Sequence, residues 1–196
     1  MRPIIDIARL EKAVFELANF ERKRASRKPL AWNKDLAAIA RLHSSYLAQQ
    51  NTGLRNTFYL AHDDTQGSTP AGRLEQNNVF YFDKSAENLH ANSIIKTFLA
   101  DEKNTPVAYN TEEELAKKAA GGWMRSPVHR QNLLSGAYDE TGVGIAMDPT
   151  GVNYLYTQLF IHRVECGYKT SICCERRGFL PYCFVPLHCN EERACI

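Results

Sequence analysis

The residues able to do chemistry are unevenly spread along this 196-residue chain. Its six cysteines, Cys166, Cys173, Cys174, Cys183, Cys189 and Cys195, all fall in the final segment, and residues 1–165 contain none. An even, dense set of thiols in so short a piece reads as a disulfide framework, because such a segment buries too little apolar surface to hold itself together. A structural zinc site is the alternative, but such sites use cysteine pairs roughly two to four residues apart, and no pair here has that spacing. Six cysteines allow about 15 pairings, which spacing does not resolve. The neighbours Cys173 and Cys174 are expected to bond to different partners, since a bridge between them would strain the intervening peptide. Disulfides imply an oxidising compartment. Residues 1–20 lack the uninterrupted apolar stretch of an export signal and read as a helix, so the expectation is a signal already removed.

Six histidines are the next candidates. His43 falls on an apolar helical stripe, a position more often filled by a core histidine than by a ligand. His90 has no sequence feature that requires a role, and His162 borders the tail. His188, beside Cys189, keeps the zinc reading of the tail open. The run His62-Asp63-Asp64-Thr65-Gln66-Gly67 lacks the alternating oxygen ligands and closing glutamate of a calcium loop. Ser126 has no base beside it in sequence, and a hydroxyl without one is a weak nucleophile. Arg22, Lys23, Arg24, Arg27 and Lys28 form a basic cluster. It would suit a phosphate, but cations gather near a helix C-terminus for electrostatic reasons alone, and that reading is preferred.

Hydrophobic residues make up 44% and charged residues 23% of the chain, a globular composition. The net charge of +2 gives no global field toward nucleic acid. The apolar runs are too short for a transmembrane span, which needs roughly 20 residues.

The candidate residues must be positioned by elements legible from periodicity. Ile7, Leu10, Val14 and Leu17 recur with helical spacing after Asp6, a plausible N-cap, which predicts a helix over 7–25. Asn33 caps a second helix whose apolar face carries Leu36, Ala40, His43 and Leu47, with Ile39, Leu42 and Tyr46 widening it. A long loop over 51–85 holds a short helical turn near 73–76, and 86–99 reads as a third helix. Thr111 and Glu114 form a capping box opening a helix that ends at Ser126-Pro127. Beyond it the period changes to alternation: strands over 141–147 and 152–160 flank an Asp-Pro-Thr-Gly turn. Trp32, Tyr46, Trp123, Tyr154 and Tyr156 are expected in the core. Helices with a short antiparallel sheet predict an α+β fold, a three-layer α-β-α sandwich, with a small disulfide-rich C-terminal segment. The implied division is a main domain over 6–162 and a cysteine-rich extension over 163–196.

Several blocks in order carry a family resemblance. They are the entry helix with Asn19, Glu21 and Arg22, PLAWNKDLAAIARLHSSYLAQQN at 29–51, and HDDTQGSTPAGR at 62–73. AENL at 86–89, GWMRSPVHRQNLL at 122–134, ETGVGIA at 140–146 and YTQLF at 156–160 follow. Together they resemble the CAP superfamily (cysteine-rich secretory protein, antigen 5, pathogenesis-related 1), whose SCP domain keeps a cleft lined by two histidines and two glutamates. The resemblance implies His62 and His129 as the histidines and Glu87 as the first glutamate. The second glutamate position holds Ser126, and Ala86 replaces the signature glycine. His62, Glu87 and His129 would suffice as ligands for zinc or another divalent cation, with water in the fourth position. Asn88, Trp123 and Ser126 would line the same cleft. Without the second carboxylate the obvious general base is missing, so hydrolysis is the weaker reading. The resemblance thus implies a secreted, periplasmic or extracellular module binding a lipid, sterol, other small hydrophobic ligand or protein. A metal-dependent, peptidase-like hydrolase and an extracellular scaffold are the alternatives.

Overall fold

The structure is a computed structural model and describes residues 2–54, 57–98 and 106–164. Of the predicted tail only Arg163 and Val164 are described, and every cysteine and His188 lie outside the described residues. The first helix, α1, runs Ile7–Arg24, and the Asp6 side chain accepts from Arg9 N at its start. Leu10, Val14 and Ala18 form its buried stripe. A two-residue strand β1 (Ala31–Trp32) leads into α2 (Lys34–Gln50), where Asn33 accepts from the backbone N–H groups of Asp35 and Leu36. The short helical turn of the long loop is α3 (Pro70–Gln76), capped by Thr69. The capping box of Thr111 and Glu114 opens α4 (Glu112–Arg125) with both reciprocal bonds in place.

Two predictions fail locally. Residues 86–99 were expected to be helical, but Phe82–Ser93 is a long strand, β2, antiparallel to the last strand along nearly its whole length. Apolar Leu89 faces one side and Ala86 the other, so the segment is covered on both faces, which erases the alternation that marks a half-buried strand. The chain also re-enters a helix after Ser126. Pro127 occupies the first turn of α5 (Pro127–Leu134), where its missing N–H costs nothing. A small ribbon of β3 (Ile95–Phe98) and β4 (Pro106–Tyr109) sits apart from the main sheet.

The predicted hairpin is present as β5 (Glu140–Met147) and β6 (Asn153–Arg163). Its turn closes on Asp148, whose carboxylate accepts from the backbone of Val152 and Asn153, with Gly151 at φ +74°. The sheet order is β1-β5-β6-β2, so β2 is an edge strand among the described residues. Along β6, Tyr154, Tyr156 and Phe160 pack with α1, α4 and α5, while Leu159 and Ile161 pack with α2 and α3. The outcome is a mixed α+β fold of five helices and two sheets among the described residues, with helices covering both faces of the main sheet. Helix α2 lies backbone-to-backbone on β5: a Cβ on Gly142 or Gly144 would fall 2.2 Å from Ala37 N or 2.1 Å from Arg41 N. Trp32 departs from the expected core, remaining 39% exposed and packing edge-on against Phe15. Trp123, Tyr154 and Tyr156 are buried as expected.

Candidate functional site

Period two along β2 sends alternate side chains to opposite faces of an edge strand. Glu87 points toward α2 and α3, and Asn88 toward α5. The Glu87 side chain is buried, and its two oxygens serve different partners. Arg73, on α3, donates from Nη2 to Oε2 at 2.5 Å, and His62 donates from Nδ1 to Oε1 at 2.9 Å. Arg73 also donates from Nη1 to the carbonyls of His62 (2.7 Å) and Ser68 (2.9 Å), so one guanidinium fixes both the carboxylate and the loop that carries the histidine. Asp64 completes that loop, accepting from Gln66 N and Ser68 N at 2.9 Å each. Asp64 thus shapes backbone rather than gathering a cation.

His43 lies behind this pair. It is buried, its Nε2 donates to Ala61 O at 2.9 Å and stands 3.9 Å from Glu87 Oε1. The expected core histidine is therefore a core histidine backing the site. On the other face of β2, Asn88 donates to His129 O (3.0 Å), and Asn132 donates to Asn88 Oδ1 (3.0 Å) and Glu87 O (3.3 Å). These asparagines pin α5 to the strand edge and present His129 around it.

The imidazoles differ in proton affinity. The hydrogen bond to the Glu87 carboxylate raises the pKa of His62, whereas burial and then the His62 charge lower that of His129. Burial likewise lowers His43. A histidine of raised proton affinity beside a carboxylate, with one of lowered affinity across the strand edge, is what this arrangement provides.

Ser126 is the N-cap of α5, but its side chain makes no capping bond. Trp123 is fully buried beneath β2, its Nε1 donating to Leu89 O at 3.0 Å, so it supports the strand instead of lining a cleft. His90 is packed under α4, and His162 bonds Asp83 at the far end of β2, at 2.7 Å. The donor set does not fit the three-ligand zinc site as placed. Among the described residues, no group of three or more His, Cys, Asp or Glu side chains is arranged to hold a metal ion. Arg73 also sets a fixed positive charge against the one carboxylate, disfavouring a second cation there. Arg73 is the site residue that reading by motif missed. The signal for it was available: a glutamate buried in a strand needs a cation, and the nearest arginine ends the same block as His62.

The family model described as the Cysteine-rich secretory protein family (CAP) matches residues 15–160, and the chain belongs to that family. Two curated relatives come from Bacillus subtilis. The uncharacterized membrane protein YlbC is 28% identical over 153 residues, covering 78% of this chain and 34% of YlbC. The uncharacterized protein YkwD is 27% identical over 155 residues, covering 79% of this chain and 48% of YkwD. The chain thus spans half or less of the length of these relatives. An extracellular SCP-domain protein from Bacillus anthracis superposes with a TM-score of 0.59 at 26% identity, over 82% of this chain and 45% of that one. An outer surface protein from Borrelia burgdorferi gives a TM-score of 0.60 at 19% identity, over 83% and 99% respectively, which bears on fold alone. No helix among the described residues is long and apolar enough to cross a membrane.

Proposed function

We propose that this chain is an exported CAP-domain binding module, and that its cleft holds a ligand with a polar end and an apolar body without turning it over. The observation that carries this reading is the state of Glu87. Its carboxylate is buried and already engaged by Arg73 and His62, so it is poorly placed to act as a free general base or to activate water. His62, with its side chain 51% exposed, is the group left to meet a ligand. Leu60 and Tyr59, both exposed, stand two and three residues before it in the chain, and Tyr46 stacks on His43. Exposed apolar side chains beside a polar anchor suit a sterol or fatty acid class of ligand. The extracellular description of the Bacillus anthracis neighbour supports export.

Fluorescent sterol and fatty-acid probes test the reading. Saturable binding of at least one, weakened roughly tenfold (about 1.4 kcal/mol) in His62→Ala, is the expected result. Chelator-sensitive cleavage of a peptide library, with no probe binding, would replace the binding module by a hydrolase.

A further inference from the structure

Helix α5 turns by about 100° per residue, so His129 and Asn132 lie on the face opposite Pro127, Arg130 and Leu134. The first face is held against β2 through Asn88 and Asn132. The second borders a separate cavity of about 600 Å³, lined also by Met124 and Arg125 from the end of α4 and by Arg27 from the loop after α1. Among the described residues its lining includes three arginines and no carboxylate. None of the three is in an ion pair with an acidic side chain among the described residues, although Arg24 next door is paired with Glu21 at 3.0 Å.

The arginines are held from behind. Arg22 is fully buried and donates to Lys28 O (2.7 Å), Leu133 O (2.8 Å) and Ser135 O (2.8 Å), which ties the loop carrying Arg27 to the end of α5. That bond set also places a fourth positive charge behind the cavity. A Cβ on Gly136 would stand 3.9 Å from Arg27 Nη1, and one on Gly121 would stand 3.1 Å from Arg125 Nη1, so small residues leave room for both guanidinium groups. Like charges gathered without a counter-charge repel one another, and an oxyanion relieves that repulsion while accepting several charge-assisted hydrogen bonds. Met124, Pro127 and Leu134 supply an apolar wall beside the cationic rim.

We infer that this cavity is a second binding site, distinct from the Glu87 cleft, and that it takes a phosphate-type oxyanion through Arg27, Arg125 and Arg130. The ligand is either a phosphorylated small molecule or the headgroup of an anionic phospholipid. The two share the chemistry that the arginines recognise, and they differ in whether the protein follows a membrane.

The test uses the full oxidised chain at low ionic strength. Inorganic phosphate is titrated by calorimetry, and flotation is measured with phosphatidylcholine vesicles with and without phosphatidylglycerol. Saturable phosphate binding that Arg130→Gln weakens about tenfold, and that a triple glutamine variant of Arg27, Arg125 and Arg130 abolishes, supports the site. Lys34→Gln, a change of the same charge at an exposed position on α2, leaves it unaltered. Flotation only with phosphatidylglycerol, lost in the triple variant and competed by phosphate, assigns the site to lipid; calorimetric binding without flotation assigns it to a soluble phosphate. Circular dichroism and an unchanged melting temperature establish that the variant is folded, since all three side chains are exposed. Absence of binding to either probe, or binding that the folded triple variant retains, overturns the inference and leaves the Glu87 cleft untouched.

Discussion

His90 is the residue at which acid should act on this fold. It lies on β2 facing α4, with its ring so close to the helix that a Cβ on Gly122 would fall 2.6 Å from Cε1 and 2.8 Å from Nδ1. Its Nε2 is buried without a hydrogen-bond partner among the described residues, and the ring sits 5.7 Å from that of Tyr156. Burial, followed by the charges of Arg125 and His129, lowers its pKa to about 4. The folded state therefore keeps His90 neutral, while the unfolded chain takes up a proton near the ordinary value of about 6.5. Stability is unaffected above that value and falls as pH drops from about 6.5 toward 4, because the unfolded state then binds the extra proton. With roughly 1.4 kcal/mol per pH unit, the full loss is about 3 kcal/mol. His90→Phe keeps the ring and removes the proton site. It should cost about 1 kcal/mol near neutral pH from the tight fit under Gly122, and it should flatten the acid limb. Urea unfolding of both proteins, compared at each pH from neutral to about 4, reads the difference directly. Curves that stay parallel over that range would refute the assignment of the acid limb to His90.

Other perturbations are equally specific. Arg73→Met leaves the Glu87 carboxylate buried without its cation and should cost about 3–5 kcal/mol in urea unfolding, with His62→Ala far milder because that ring is half exposed. Gly144→Ala pushes a methyl into the backbone of α2, where Arg41 N and Ala40 C lie 2.1 and 2.3 Å from the new Cβ, and should lower the soluble, folded yield sharply while an exposed control such as Ala38→Ser does not. Arg41→Leu strips the bidentate partner (2.8 and 2.7 Å) from the buried Glu11, which also accepts from Ile145 N at 3.1 Å; an expected loss of about 2 kcal/mol would show as a lower urea midpoint. For the tail, thiol titration of the denatured, unreduced protein should find no free thiol, and six after reduction.

What the sequence disclosed followed from how locally each feature is determined. The caps of α1, α2 and α4 were legible because one side chain satisfies orphan N–H groups within three residues of itself. The β5–β6 hairpin was legible because its turn residues and alternation sit together. β2 was not, since both of its faces are covered and Ala86, Glu87, Asn88 and Leu89 look as helical as they look extended until β6 supplies the partner. The restart at Pro127 was hidden because Ser-Pro ends one helix and opens the next with the same two residues. At the site, motif position identified His62 and Glu87, which meet. It could not reveal that Arg73 already neutralises Glu87, or that period two along β2 sends Glu87 and the residue holding His129 to opposite faces.

The central claim is that the Glu87 carboxylate, held by Arg73, raises the proton affinity of His62 while burial lowers that of His129 at the same strand edge. Nitrogen-detected NMR of the histidine rings measures it directly. His62 should titrate above the ordinary imidazole value and fall toward it in Glu87→Gln, His129 should titrate below that value, and added zinc should leave both rings unshifted. Two rings titrating together, or moving together when zinc is added, would contradict the account.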